Sequence, residues 1–144
     1  MDNQRKEDFH KMYMKIAQLQ ADLSRGIRAK VGAALVTKHG VVLTGYNGPA
    51  SGMDNNLERI DQETGEFVTK DCVIHAELNC IMKAAREGIS VLQSTIYVTH
   101  SPCERCAAML LQSGVEAVYY GQVYKDTNGI NYLNQRIFTK LLGV

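Results

Sequence analysis

Apolar residues return at helical spacing at Phe9, Met12, Ile16, Leu19 and Leu23, between charged and amide side chains. They predict an amphipathic helix over 7–23 with that stripe as its apolar face. Two valine-rich runs follow, Val31 to Thr37 and Val41 to Tyr46, and His39-Gly40 between them reads as the turn of an antiparallel hairpin. Periodicity then disappears from Asn47 to Asp71, where Gly, Pro, Ser, Asn and Asp accumulate. A loop of that length in a compact domain is more often functional than not, and its stretch from Asp61 to Thr69 can form a small hairpin of its own.

His75 to Glu87 is rich in helix formers and stops at Gly88. Ser94 to Thr99 reads as a strand, after which Ser101 can cap a helix with Pro102 at its first position and Gly114 beyond its end. Val115 to Tyr120 reads as a buried strand, and Ile130, Leu133, Ile137 and Leu141 return at helical spacing near the C-terminus. Such alternation implies an α/β sheet sandwiched by helices, with at least one parallel crossover, between the strands at 95 and 115.

The 144 residues suit one domain, 1–144, and no repeat or linker divides them. With 16 Lys and Arg against 15 Asp and Glu the formal net charge is +1, so no broad basic field exists to hold a nucleic-acid backbone. No apolar run approaches the roughly 20 residues of a membrane span, and no signal segment opens the chain. A cytoplasmic protein is expected, with reduced cysteines.

The four cysteines are Cys72, Cys80, Cys103 and Cys106. Cys103 and Cys106 are three apart, so at the start of a helix their sulfurs face one side and can converge on one ion. His75, at the start of the preceding helix, would complete three protein ligands and leave a tetrahedral zinc one open position, as a catalytic site requires. Helix N-termini favour the thiolate form there. Glu77 lies about 200° around the helix from His75, so it is placed beside a metal-bound water as a proton carrier. His-x-Glu followed by Pro-Cys-x-x-Cys is the zinc deaminase signature. Two other readings stay open: a structural zinc completed by Cys72 or Cys80, and a redox pair that leaves His75-Ala76-Glu77 unexplained.

With these motifs the chain resembles the cytidine and deoxycytidylate deaminase superfamily, in particular its dCMP branch. The likeness runs from Arg28-Ala29-Lys30-Val31-Gly32-Ala33 through Gly45-Tyr46-Asn47-Gly48 and His75-Ala76-Glu77-Leu78-Asn79 to Tyr97-Val98-Thr99 and Pro102-Cys103. The resemblance implies a three-layer α/β/α fold with a mixed central sheet. It also implies hydrolysis of dCMP to dUMP and ammonia, supplying dUMP for thymidylate synthesis, with zinc on His75, Cys103 and Cys106 and Glu77 as proton shuttle. Substrate contacts are implied at Arg28 and Tyr124 for the phosphate, at Asn47 for the sugar, and at Ala76. By the same resemblance dCTP and dTTP, with magnesium, are expected effectors at Gly45, Tyr46, Asn47 and Gly48, in a homo-oligomer expected to be a hexamer. Family members often continue into a further strand, absent or short here. A tRNA adenosine deaminase shares the motifs, but the near-neutral charge and Gly-Tyr-Asn-Gly oppose it. A nucleoside cytidine deaminase typically has cysteine in place of His75, and a silent zinc-binding interaction domain has no use for Glu77.

Overall fold

The computed structural model describes residues 1–143. Helix α1 (Asn3–Ala21) starts at Asp2, whose carboxylate accepts a hydrogen bond from the Arg5 amide at 2.7 Å. Strands β1 (Gly32–Val36) and β2 (Val42–Tyr46) form the expected antiparallel hairpin, with Gly40 in the left-handed region at φ +86°. A separate two-stranded hairpin, β3 (Glu58–Ile60) and β4 (Phe67–Thr69), stands in the long loop. Then follow α2 (Ala76–Glu87), β5 (Thr95–His100), α3 (Glu104–Ser113), β6 (Ala117–Gln122), α4 (Asn128–Asn134) and β7 (Phe138–Leu141).

The main sheet has the order β2-β1-β5-β6-β7; β1 is antiparallel to both neighbours, while β5, β6 and β7 run parallel. The unit β5-α3-β6 is the parallel crossover that the alternation requires. Because side chains alternate across a strand, Ala33 and Leu35 of β1 face one layer and Ala34 the other. Ala33 and Leu35 pack with Ile96, Val98, Cys80, Ala107 and Leu110 beneath α2 and α3, and Ile130 and Leu133 of α4 join that core. Ala34 and Tyr97 pack with Met14 and Ala17 of α1 on the opposite face. The fold is therefore a three-layer α/β/α sandwich around a mixed five-stranded sheet.

Three expectations are corrected. The buried stripe of α1 is Met14, Ala17 and Ala21, whereas Met12, Leu19 and Leu23 of the predicted apolar face are 43%, 66% and 58% exposed. The reason is closeness: a Cβ on Gly32 would lie 1.9 Å from the Ala17 carbonyl oxygen, so the helix crosses β1 where only small residues fit. Second, α3 begins two residues late. Cys103 occupies the N-cap position, and the Ser101 hydroxyl accepts from the Tyr124 amide at 2.9 Å instead. Third, the C-terminal helix ends at Asn134, and Phe138–Leu141 is an edge strand parallel to β6. The further strand is thus present but short, at 4 residues, as one of the two expected outcomes had it, and Phe138 and Thr139 suit it better than a helix.

His10 fixes α1 to the sheet. Its Nδ1 lies 2.7 Å from the Tyr97 hydroxyl and its Nε2 3.3 Å from that of Tyr119, on which its ring stacks at 4.5 Å. Burial lowers its pKa below the ordinary 6.5, with Glu7 pulling it up and Lys140 pushing it down. A proton therefore binds the unfolded chain more readily, so this contribution to stability is complete above 6.5 and is lost as pH falls below it. We expect Tm to fall between pH 7 and pH 5.5 and the fall to be shallower in His10→Gln; equal slopes in calorimetry would contradict this.

Candidate active site

His75 and Cys103 hold the same place on two helices. Each is an N-cap with extended backbone (ψ 153° and 167°), and its carbonyl accepts the first helical hydrogen bond, from Asn79 and Ala107 respectively. An N-cap side chain leans over the third residue of its helix, and in α3 that residue is Cys106. His75 Nδ1 is 3.1 Å from Cys106 Sγ and 3.8 Å from Cys103 Sγ, and the three donor atoms all lie within 4.8 Å of one another. Among the described residues no other histidine, cysteine or carboxylate trio makes such a group. Cys80 is wholly buried, its thiol pushed up to about 12 by burial, and Cys72 is exposed; neither joins the trio.

A hydrogen bond from the Cys106 thiol, with a second from His75, brings Cys103 down to about 3. Cys106 is raised, first by that same bond and then by burial. His75 is raised by its bond to Cys103, against burial. Thiolate sulfur beside imidazole nitrogen is a donor set that suits zinc, and three protein donors leave one position open. His75 and Cys103 are exposed while Cys106 is buried. Glu77, 3% exposed in the first turn of α2, has its carboxyl pushed up from its ordinary value by burial, against the pull of His75.

Gly45-Tyr46-Asn47-Gly48, the end of β2 and the two residues after it, builds the frame behind these residues. A Cβ on Gly45 would lie 2.7 Å from the Ala76 carbonyl oxygen, so α2 rests directly on β2 at this point. The Tyr46 carbonyl accepts from Asn79 at 2.7 Å, and Gly48 pairs with Ile74 in an isolated bridge just before His75. Asn47 receives the Val31 amide on its Oδ1 at 2.8 Å and donates from Nδ2 to the Ala29 carbonyl at 3.0 Å. Its side chain is thereby tied to the segment that carries Arg28.

Beside them lies a cavity of about 350 Å³, a size suited to a small ligand. His75, Glu77 and Cys103 line one part of it, and Arg28, Asn47, Ala76 and Tyr124 also reach it. The structure thus brings the expected metal, catalytic and substrate residues to one place. Sequence reading missed Thr69, His100 and Lys125, which line it too. His100 is held by Thr99 at 2.8 Å and Gln122 at 2.7 Å, with its ring edge-on to Tyr124, and only its place at the C-terminal end of a parallel strand could have singled it out.

The family model described as cytidine and deoxycytidylate deaminase zinc-binding region matches residues 7–122. A Caenorhabditis elegans protein named "Probable deoxycytidylate deaminase" is 36% identical over 112 residues, which are 77% of this chain and 56% of that protein. "ComE operon protein 2" of Bacillus subtilis is 32% identical over 81% of this chain and 61% of its own length. The chain therefore spans less than two thirds of these two relatives. The dCMP deaminase of cyanophage S-TIM5, solved in complex with dCMP and dUMP, superposes with a TM-score of 0.80 at 38% identity, covering 98% of this chain and 99% of the phage chain.

Proposed function

Because the chain belongs to the cytidine and deoxycytidylate deaminase family, we propose that it hydrolyses dCMP to dUMP and ammonia, as one domain, and so supplies dUMP for thymidylate synthesis. The observation that carries this reading is a single cavity lined by His75, Cys103 and buried Glu77, with the Cys106 sulfur within 4.8 Å of the other two donors and the Arg28 guanidinium available to an anionic group. The phage relative's complex with dCMP and dUMP supports the choice of nucleotide.

His75, Cys103 and Cys106 would hold the zinc. When bound, zinc supplies a Lewis acid that makes water a nucleophile near neutral pH. Glu77, out of the donor trio and shielded from solvent, takes a proton from the attacking water and gives it to N3 of the cytosine; it then takes the proton of the new C4 hydroxyl and gives it to the amine as the C4–N bond breaks, leaving the C4 carbonyl and ammonia. A carboxyl raised by burial suits both halves of that task. Arg28 pairs the 5'-phosphate through its planar fork. Tyr124 adds a phosphate contact, Asn47 the sugar contact and Ala76 a contact to the base.

We further propose a homo-oligomer, hexameric by analogy, activated by dCTP and inhibited by dTTP with magnesium. A second cleft of about 370 Å³, lined by Gly45, Tyr46, Gly48, Met53 and Lys83, supports the effector part. Among the described residues no helix is long and apolar enough to cross a membrane, which is compatible with a cytoplasmic enzyme. The test is a product assay with dCMP, CMP, deoxycytidine and an adenosine-containing RNA hairpin, run with and without dCTP and dTTP. Turnover of dCMP above all others is expected. Preference for the hairpin or for deoxycytidine would overturn the substrate, and a hyperbolic dCMP curve unmoved by either nucleotide would remove the effectors.

A further inference from the structure

Arg28 sits on a stretch of chain with neither helix nor strand, between α1 and β1. Its neighbour Ile27 is 69% exposed, so apolar burial does not anchor it. The anchor comes from elsewhere. Glu58 of β3 is 4% exposed, and its Oε2 accepts from the Ile27 amide at 2.6 Å and from the Arg28 amide at 3.0 Å. The cross-strand partner of Glu58 in the hairpin is Thr69, whose hydroxyl lies 3.4 Å from Arg28 Nη1. One rung of the β3-β4 hairpin thus touches both the backbone and the guanidinium of Arg28.

The other oxygen of Glu58, Oε1, is buried and has no partner. A buried carboxylate with one unpaired oxygen is costly, while the two amides it serves belong to a surface segment and could be satisfied by water. Stability alone does not account for such a residue. The arrangement is intelligible if the position of those amides matters, because the long side chain of Arg28 converts a small backbone shift into a misplaced charged fork.

We propose that Glu58 is a positioning residue that aims Arg28 into the cavity, with the β3-β4 hairpin as its support. This rests on the reading of Arg28 as the phosphate contact. Glu58 is not among the residues that line the cavity, so its loss acts on the nucleotide through Arg28 and leaves chemistry at the base alone.

The experiment measures kcat and KM for dCMP and deoxycytidine, zinc content, and calorimetric affinity for dUMP in Glu58→Ala, Glu58→Gln, Arg28→Ala and the two Glu58 variants combined with Arg28→Ala. Losing charge-assisted hydrogen bonds should raise the dCMP KM and weaken dUMP binding by about tenfold in Glu58→Ala. In Glu58→Gln, which keeps an acceptor but not the charge, about threefold is expected. Zinc, kcat and deoxycytidine turnover should stay within about twofold of wild type. On the Arg28→Ala background either Glu58 change should add nothing, since the two act in series. If Glu58→Ala does not fold, Glu58→Gln and its double variant carry the same test. Equal losses for dCMP and deoxycytidine, or losses that add to those of Arg28→Ala, overturn the proposal. An Arg28→Ala protein with unchanged nucleotide preference instead overturns the phosphate reading on which the proposal stands.

Discussion

Glu77→Ala is expected to keep one zinc per chain and to lose deamination by roughly 10²- to 10⁴-fold, the range for removing a positioned proton carrier. The reasoning is positional. Glu77 is two residues from His75, outside the donor trio, and buried where a raised carboxyl can both take and give a proton. Cys103→Ser and Cys106→Ser should by contrast lose metal and activity together, since each removes a sulfur from a three-donor set. Metal analysis and turnover on the same preparations separate the two outcomes. Zinc lost from Glu77→Ala in proportion to activity would make Glu77 a ligand and refute its assigned role.

Arg28→Ala should lower kcat/KM for dCMP by about one to two orders of magnitude while leaving deoxycytidine nearly unchanged. Charge-assisted hydrogen bonds contribute roughly 1.5 to 3 kcal/mol each, and a site that pairs a charged group discriminates strongly against an analogue without it. Arg28 is exposed in the cavity wall and its Nη1 meets only the Thr69 hydroxyl, so the guanidinium has donors to spare for a ligand. Steady-state kinetics on the two substrates provide the check. Equal slowing of both would place Arg28 in the scaffold and not in phosphate recognition.

The metal trio was legible because it needs only residue type and spacing at two helix starts, and His75, Cys103 and Cys106 supply both. Hairpin β1-β2 and the crossover β5-α3-β6 were legible for a similar reason, since local patterning and parallel pairing agree there. The C-terminal segment misled because Ile130, Leu133, Ile137 and Leu141 match a helical period, while pairing along β6 decides the conformation of Phe138–Leu141. On α1 the larger apolar residues drew attention from Ala17 and Ala21, whose small size lets the helix lie against Gly32. Glu58 gave no sign at all. A glutamate in a polar loop reads as solvated surface, and only the fold shows its oxygen beneath two amides far earlier in the chain.

The seam between β1 and β5 has a bearing on the order of folding. Cys103 and Cys106 belong to the consecutive unit β5-α3-β6, while Arg28 and Asn47 flank the β1-β2 hairpin. Each of these can form from near neighbours. Their junction cannot, because β1 ends at Val36 and β5 begins at Thr95, with α2 and His75 in the span between them. Closing so long a loop costs entropy before its contacts return anything. The donor set therefore draws two sulfurs from the local crossover and an imidazole from the span that this seam closes, so the complete set depends on a pairing between segments distant in sequence.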